Sequence, residues 1–355
     1  MELGFLQRLR ESDLWERIGV FFGTSAGALA GCMAVLDRLG ELEEFLLELR
    51  PEDTFRAHRL WRLPLLGTHD YVLPRTIAER LGDVNELAEQ VAAADRELVA
   101  IVTDVTPTRD DRVSDPLFER AYSSWTSPPE DMAQAILASA AVSALVLPMP
   151  VGDRVGTDGS CVRNYPLGYA YDRPEVELIV GFRYAPRYPV LGAGVLRSVV
   201  HRLRRYSKLP AARRLVAELE EALGREERGL PPHIADIFSR LSRVSIIRNT
   251  ELEEVVATWR DRSVTELRSL RDDVLALVAE RPELATAVEA RFGRAEFPFR
   301  HDRVIPRITV VGEANGASLE PGFRNPKPWT AAEKRELIAH GRDAADRALR
   351  EHGYE

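Results

Sequence analysis

Cysteine is scarce in this sequence, and its scarcity excludes several kinds of protein. The 355 residues include two cysteines, Cys32 and Cys161, which is too few for a disulfide-stapled scaffold. No cluster of cysteine and histidine has the spacing of zinc ligands. We therefore expect no metal and no organic cofactor, and we expect a reducing compartment such as the cytoplasm.

An excess of positive charge is also lacking, because 56 acidic residues outnumber 48 Lys and Arg residues. The formal net charge of −8 argues against nucleic-acid binding, which requires a basic face. One basic run, His201–Arg205, is a candidate for peripheral contact with an anionic membrane, although such runs are usually solvated helix faces. Nothing in the composition indicates an oligomeric state.

A single long apolar run, Ile18–Leu36, contains 19 residues without a charge. Its length is typical of a membrane span, and its segment Leu29-Ala30-Gly31-Cys32 is similar to a lipoprotein cleavage box. However, acidic residues precede the run where a signal peptide carries positive charge, and Gly and Ala outnumber Leu within it. A buried strand that turns sharply into a buried helix explains the run better. Secretion or lipid anchoring, with cleavage before Cys32, is kept as a weaker alternative.

Strand-like and helix-like segments alternate along the first half of the chain, which predicts an α/β fold with a mostly parallel central sheet. The predicted strands are Ile18–Phe22, Leu98–Thr103 and Val176–Phe182. The predicted helices are Leu3–Arg10, Ala26–Leu39 (ended by Gly40), Leu42–Leu49, Arg75–Leu81 and Pro128–Ala144.

The pattern changes after residue 185. Charged helical segments follow at Ala211–Leu223 and Leu252–Val278, with a short strand as an option at Val244–Ile247. Strand character returns at Arg303–Val311, before a terminal helix at Thr330–His352. We therefore predict a core over residues 1–185, a helical insertion or lid-like region over 186–300, and a closing strand, loop and helix of the same domain over 301–355.

A Gly-x-Ser-x-Gly motif joins the first predicted strand to the next helix. Gly23 and Gly27 flank Thr24, Ser25 and Ala26, and glycines let such a turn pass its neighbours without a Cβ clash. The turn would place Ser25 at a helix N-terminus, where free N–H groups favour negative charge. Alone the pentapeptide is weak evidence, because Gly-rich turns also serve packing or phosphate binding. With a strand before it and a helix after it, it predicts that Ser25 is a nucleophile.

The position of this motif argues against an α/β-hydrolase with a Ser-His-Asp triad. Only 22 residues precede Gly23, whereas several strands precede the nucleophile in that fold. Most of the candidate downstream histidines lie in charged helical stretches, where a solvated surface side chain is the simplest interpretation. The candidates are His201, His233, His301, His340 and His352. His301, just before a predicted strand, is the best placed of them. We therefore expect a different base for Ser25.

A second motif lies 133 residues after Ser25, where Asp158-Gly159-Ser160 is followed by Asn164 and Pro166. By itself an Asp-Gly pair indicates only a turn. The two motifs in this order resemble the signature of patatin-like acyl hydrolases. Ala138-Ser139-Ala140, Leu98–Asp104 and Arg303–Val311 extend the resemblance, which covers residues 1 to about 185 and the closing strand.

The resemblance implies a three-layer α/β/α fold and a catalytic dyad. Ser25 would be the nucleophile, and Asp158 would accept its proton and return it to the leaving group. A carboxylate of ordinary pKa is a weak base for a serine hydroxyl, so the site must raise that pKa by burial or lower the cost of the alkoxide. Gly159 would let the turn approach Ser25. Asn164 would bond backbone within its own loop.

Two features depart from the family pattern. Ser160 stands where the family has Gly or Ala. In the family a strand and a glycine-rich oxyanion loop precede the first helix, and Leu3–Leu9 resembles that helix, so we expect both to be missing from this sequence. Either the natural protein starts further upstream, which the persistence of both motifs favours, or the chain is a degenerate member.

The sequence thus predicts a cytoplasmic serine acyl hydrolase, with membrane association left open. Its substrates would be carboxylic esters of lipids, namely phospholipids, lysophospholipids or acylglycerols, and its intermediate an acyl-Ser25 ester. The alternative is a catalytically impaired scaffold of the same fold, because losing an oxyanion donor typically costs about 10²–10³ in rate. Acyl chain length and head group are not indicated.

Overall fold

Glu97–Asp104 forms the central strand of the main sheet in the computed structural model, which describes residues 1–58, 69–107, 118–142, 145–185, 200–227, 234–294, 303–313 and 329–354. The segment is rich in β-branched and aliphatic residues, and all 8 of its side chains are buried. Burial on both faces is typical of a strand at the centre of an α/β sheet, because other elements cover each face.

The strands follow the chain in the order β1 (Val20–Thr24), β2 (Phe55–Ala57), β3 (His69–Tyr71), β4 (Glu97–Asp104), β5 (Glu119–Ser123), β6 (Met149–Val151), β7 (Arg154–Asp158), β8 (Ile179–Tyr184) and β9 (Arg307–Gly312). The first helices are α1 (Glu2–Arg10), α2 (Ala26–Val35), α3 (Leu39–Glu48), α4 (Pro51–Thr54), α5 (Leu73–Arg80), α6 (Val84–Ala92), α7 (Pro129–Ser139) and α8 (Leu167–Tyr171). The later helices are α9 (Pro210–Glu227), α10 (Ile234–Leu277), α11 (Pro282–Gly293) and α12 (Ala331–Glu351).

The main sheet has the strand order β1-β4-β7-β6, and β5 also pairs with β4. β1 is parallel to β4, whereas β5 and β7 are antiparallel to β4 and β6 is antiparallel to β7. β1, β4 and β6 therefore share one direction. β8 and β9 form a separate parallel pair. The predicted α/β class is confirmed. In the main sheet the β1–β4 pair is parallel, and the other three described pairs are antiparallel.

Helices α1 and α12 pack in close contact although they lie at opposite ends of the chain. A Cβ atom on Gly4 would lie 1.9 Å from the Ile338 carbonyl oxygen, so only glycine allows this approach. Arg8 Nε donates to Asp346 Oδ1 at 2.8 Å across the same contact. This packing supports placing the terminal helix in the domain of the N-terminal residues. The three-part division of the chain stays a prediction.

A cavity of about 530 Å³ lies between β1 and β8. Residues of α1, including Phe5 and Leu6, line it together with residues of the two strands. Among the described strands, β1 ends the order of the main sheet on this side.

Several predicted elements differ from the structure. The helix predicted over Pro128–Ala144 ends at Ser139, the strand predicted over Arg303–Val311 begins at Arg307, and the helix predicted over Leu252–Val278 begins at Ile234. The helix predicted over Ala26–Leu39 ends at Val35, and Gly40 lies inside α3 instead of ending a helix. The break comes earlier because Asp37 adopts a positive φ of 56° between α2 and α3. Val244–Ile247 is not a strand, because it continues the helical turns of α10.

The long uncharged run divides into β1 and α2, as the strand-to-helix interpretation predicted. Cys32 is buried in α2, and burial raises the pKa of its thiol to about 12. None of the helices in the described ranges has the length and apolar character needed to cross a membrane. The described part of residues 186–300 is helical, and its lid-like role stays a prediction.

Candidate active site

Ser25 occupies a sharp turn between β1 and α2. Its backbone has φ 56° and ψ −130°, a conformation that costs a non-glycine residue about 1–3 kcal/mol. The turn is so tight that a Cβ atom on Gly23 would lie 2.5 Å from the Gly27 carbonyl oxygen. Ala26 begins α2 directly after Ser25, so the serine hydroxyl stands at the helix N-terminus. Strained backbone of this kind concentrates at functional sites.

The structure brings Ser25 and Asp158 into direct contact. Ser25 Oγ donates a hydrogen bond to Asp158 Oδ2 at 2.9 Å. Strand β4 explains how residues 133 positions apart meet: Thr24 pairs with Ile101, and Asp158 pairs with the next residue, Val102. β1 and β7 therefore deliver the two side chains to the same point of the sheet.

The carboxylate of Asp158 is held in a buried position with a relative exposure of 4%. Burial raises the pKa of Asp158, while hydrogen bonds from Ser160 and from the Ser25 hydroxyl oppose this shift in part. One of these bonds runs from Ser160 N–H to Oδ1 at 2.8 Å. The raised pKa makes Asp158 a stronger base than an exposed carboxylate, as proton transfer from a serine requires.

Gly159 follows Asp158 at a point where no side chain fits. A Cβ atom on Gly159 would lie 2.2 Å from the Ile101 carbonyl oxygen of β4. The glycine therefore lets the turn after β7 lie directly against β4. Ser160, which stands where the family has Gly or Ala, contributes its backbone N–H to Asp158 and tolerates a side chain because it is only half-buried.

Ser139, at the end of α7, holds the backbone of the Ser25 turn. The N–H of Ser25 donates to Ser139 Oγ at 2.8 Å, and Ser139 Oγ donates to the Ile101 carbonyl oxygen at 2.6 Å. Its side chain is fully buried. The Ala138-Ser139-Ala140 match pointed to this residue without assigning a role. The bond also means that the Ser25 amide is already engaged.

Tyr71 on β3 lies close enough to Asp158 to be affected by its charge. Its hydroxyl donates to the Leu137 carbonyl oxygen at 2.8 Å. Burial strongly raises the pKa of Tyr71, and the nearby negative charge of Asp158 adds to the effect. Tyr71 is therefore neutral at physiological pH. No motif surrounds it, so sequence reasoning had no signal with which to find it.

Comparison with known families agrees with this geometry. A family model described as patatin-like phospholipase matches residues 1–171, which include both Ser25 and Asp158. Residues 1–171 are thus similar to the patatin-like phospholipase family. Members of this family are in general lipid acyl hydrolases, which act on lipid substrates. No curated protein is similar enough to the chain to count as a match.

One supporting residue of the patatin-like motif differs from its prediction. Asn164 Nδ2 donates to Thr250 Oγ1 on α10 at 2.8 Å, instead of bonding backbone in its own loop. The reason is that α10 lies over this loop, a contact across 86 positions that local sequence cannot indicate. Thr24, next to Ser25, uses its hydroxyl to bond the Arg163 carbonyl oxygen at 3.0 Å.

Among the described residues, the hydrogen-bond partner of the Ser25 hydroxyl in this patatin-like site is a carboxylate and not a histidine. His233 and His301 lie outside the described residues. His352 Nδ1 lies 2.9 Å from the Ala348 carbonyl oxygen on α12. Within the part of the chain that the structure describes, no group of three or more His, Cys, Asp or Glu side chains could hold a metal ion.

Proposed function

We propose that this patatin-like chain is a serine acyl hydrolase with Ser25 as nucleophile and Asp158 as its base. The 2.9 Å hydrogen bond between Ser25 Oγ and Asp158 Oδ2 carries the proposal. It is supported by the buried position of Asp158 and by the strained turn at Ser25. The substrates that we propose are phospholipids, lysophospholipids or acylglycerols, because their ester carbonyls suit a serine nucleophile.

The reaction would proceed in two stages. In the first, Asp158 takes the proton of Ser25 while Oγ attacks the ester carbonyl carbon, and the resulting tetrahedral adduct expels the alcohol, which receives the proton from Asp158. In the second, Asp158 takes a proton from water while the water oxygen attacks the acyl-Ser25 carbon. Collapse of this adduct releases the fatty acid, and the proton returns to Ser25.

A catalytically impaired scaffold is the second candidate, and the Ser139 contact favours it. An oxyanion must be stabilised by donors that are free to bind it, and removing one donor typically costs about 10²–10³ in rate. The N–H of Ser25 is engaged with Ser139 Oγ. The donors would then have to come from the first turn of α2 or from a glycine-rich loop of the kind that precedes the first helix in the family.

A fluorophosphonate probe separates the two candidates. We expect the purified full chain to be labelled on Ser25, as located by peptide mass spectrometry, and Ser25→Ala to abolish the label. Release of fatty acid from monoacyl and diacyl phospholipids and from acylglycerols then identifies the substrate. A folded protein that neither reacts with the probe nor releases fatty acid contradicts the proposal and supports the scaffold.

The same preparation tests the secreted or lipid-anchored alternative. Cleavage before Cys32 would remove β1 and Ser25 together, because both precede that residue. We expect the intact mass of the protein from cells to include residues 1–31. A mass that begins at Cys32 would contradict an enzyme based on Ser25.

A further inference from the structure

Helix α10 contacts the segment that follows Asp158. Asn249 Nδ2 donates to the Val162 carbonyl oxygen, and Thr250 Oγ1 accepts from Asn164 Nδ2 at 2.8 Å. One turn further along α10, Glu253 Oε2 accepts from the Gly168 N–H at 2.9 Å. Residues 159–168, here called the dyad loop, are therefore attached to α10 in their middle, at residues 162 and 164, and at their C-terminal end.

Arg163 lies at the centre of this attachment. Its Nε donates to Glu119 Oε1 and Oε2 at 2.9 and 3.0 Å, and its Nη1 donates to Glu253 Oε1. Tyr169 Oη donates to Glu119 Oε1 at 2.6 Å and stacks its ring on the guanidinium. The carboxylates are largely shielded from water, with side-chain exposures of 8% for Glu119 and 15% for Glu253. Shielded, hydrogen-bonded ion pairs of this kind fix geometry more firmly than surface pairs.

The dyad loop connects this attachment to both reacting residues. Its backbone turns back on itself, since the N–H groups of Val162 and Arg163 donate to the Gly159 carbonyl oxygen at 3.2 and 2.9 Å. Gly159 follows Asp158 directly. Further along the dyad loop, the Arg163 carbonyl oxygen accepts a hydrogen bond from Thr24 Oγ1, and Thr24 directly precedes Ser25. Any shift of Arg163 is therefore transmitted to Thr24 and to the Asp158 turn.

We propose that Arg163 and Glu253 are positioning residues, through which α10 sets the separation of Ser25 Oγ and Asp158 Oδ2. The inference rests on the proposed function, since it concerns the rate of the same dyad. It makes α10 part of the catalytic unit instead of a detachable lid. Misplacing reacting groups by about 1 Å can cost about 10²-fold in rate, so a loosened dyad loop has a measurable effect.

The chain offers a matched control on the same helix. Glu254 is shielded to a similar degree, at 20% exposure, and it also binds arginine, with Arg307 Nη1 at 2.9 Å and Arg183 Nε at 3.4 Å. Those arginines belong to β9 and β8, and the hydrogen bonds that the Glu254 carboxylate accepts come from Arg307 and Thr309 on β9, not from the dyad loop. Glu254→Ala therefore reproduces the loss of a buried carboxylate without releasing residues 159–168.

The experiment compares Glu253→Ala, Glu253→Gln and Glu254→Ala in the full chain, with a short soluble ester as substrate. We expect Glu253→Ala to lower kcat about 10- to 100-fold with KM within about twofold, and Glu254→Ala to keep kcat near wild type. Glu253→Gln falls between them, because its amide oxygen still accepts from Gly168. Hydrogen exchange should accelerate in residues 159–168 of Glu253→Ala and not of Glu254→Ala.

The outcomes separate this inference from the proposed function. If the wild type is active and Glu253→Ala keeps its kcat, or if both alanine variants lose kcat equally, the positioning role is overturned and the proposed function stands. If the wild type hydrolyses no ester, the proposed function fails and the positioning role fails with it. Glu253→Gln preserves the side-chain volume, so it tests the role even if the alanine variant unfolds.

Discussion

Ser139→Ala tests whether the strained turn at Ser25 is held by one hydroxyl. The substitution removes the acceptor of the Ser25 N–H and the donor to the Ile101 carbonyl oxygen, bonds of 2.8 and 2.6 Å. An orphaned amide at this site costs about 1–3 kcal/mol, and the carbonyl loses a hydrogen bond worth about 1 kcal/mol. We therefore expect the free energy of unfolding to fall by about 2–4 kcal/mol. Ser25 would also relax from its positive φ, which lowers kcat about 10- to 100-fold.

The assay pairs urea unfolding with ester hydrolysis, and Ser124→Ala is the matched control. Ser124 is also a buried serine, and its hydroxyl accepts from the Leu98 N–H at 3.0 Å. That bond lies at the end of β4 away from Ile101, so its loss should cost about 1–3 kcal/mol without affecting kcat. Equal losses of kcat in the two variants would refute the reasoning, as would a Ser139→Ala protein of wild-type stability and rate.

Three further predictions concern Asp158 and its turn. Because burial raises the pKa of Asp158 above its ordinary value of 3.8, kcat/KM should fall with decreasing pH through a midpoint above 3.8; a midpoint at or below that value contradicts the assignment. The same shift disfavours the ionised carboxylate in the folded state, so wild type loses stability as pH rises through the raised pKa. Asp158→Asn should therefore melt at a higher temperature than wild type near pH 7, and this difference in melting temperature should vanish below pH 3.8. The same substitution should lower the rate of hydrolysis by about 10²–10⁴. Gly159→Ala should lower the melting temperature and the rate together, because its Cβ would lie 2.2 Å from the Ile101 carbonyl oxygen; unchanged values would show that the turn can move away.

Local features of the fold were predictable because their causes are local. The glycines at 23 and 27 and the change from β-branched to small residues predicted a strand, a sharp turn and a helix around Ser25, and all three are present. The short strands β5, β6 and β7 escaped prediction, since three to five residues carry too little periodicity to distinguish a strand from a loop. The break between α2 and α3 was misplaced because a positive φ at Asp37, and not the glycine at 40, interrupts the helix.

By itself, the sequence determined the two motifs, their order and the residue types that a serine hydrolase requires. It could do so because each motif is a short backbone turn whose glycines are required by local steric constraints. Tertiary structure alone decided how the residues meet. Thr24 and Asp158 pair with neighbouring residues of β4. Ser139 bonds Ser25 across 114 residues, and Glu253 of α10 bonds Arg163 across 90. These contacts depend on strand register and helix packing, which are set by the burial of the whole core. The residue types at the contact positions therefore do not indicate which residues meet.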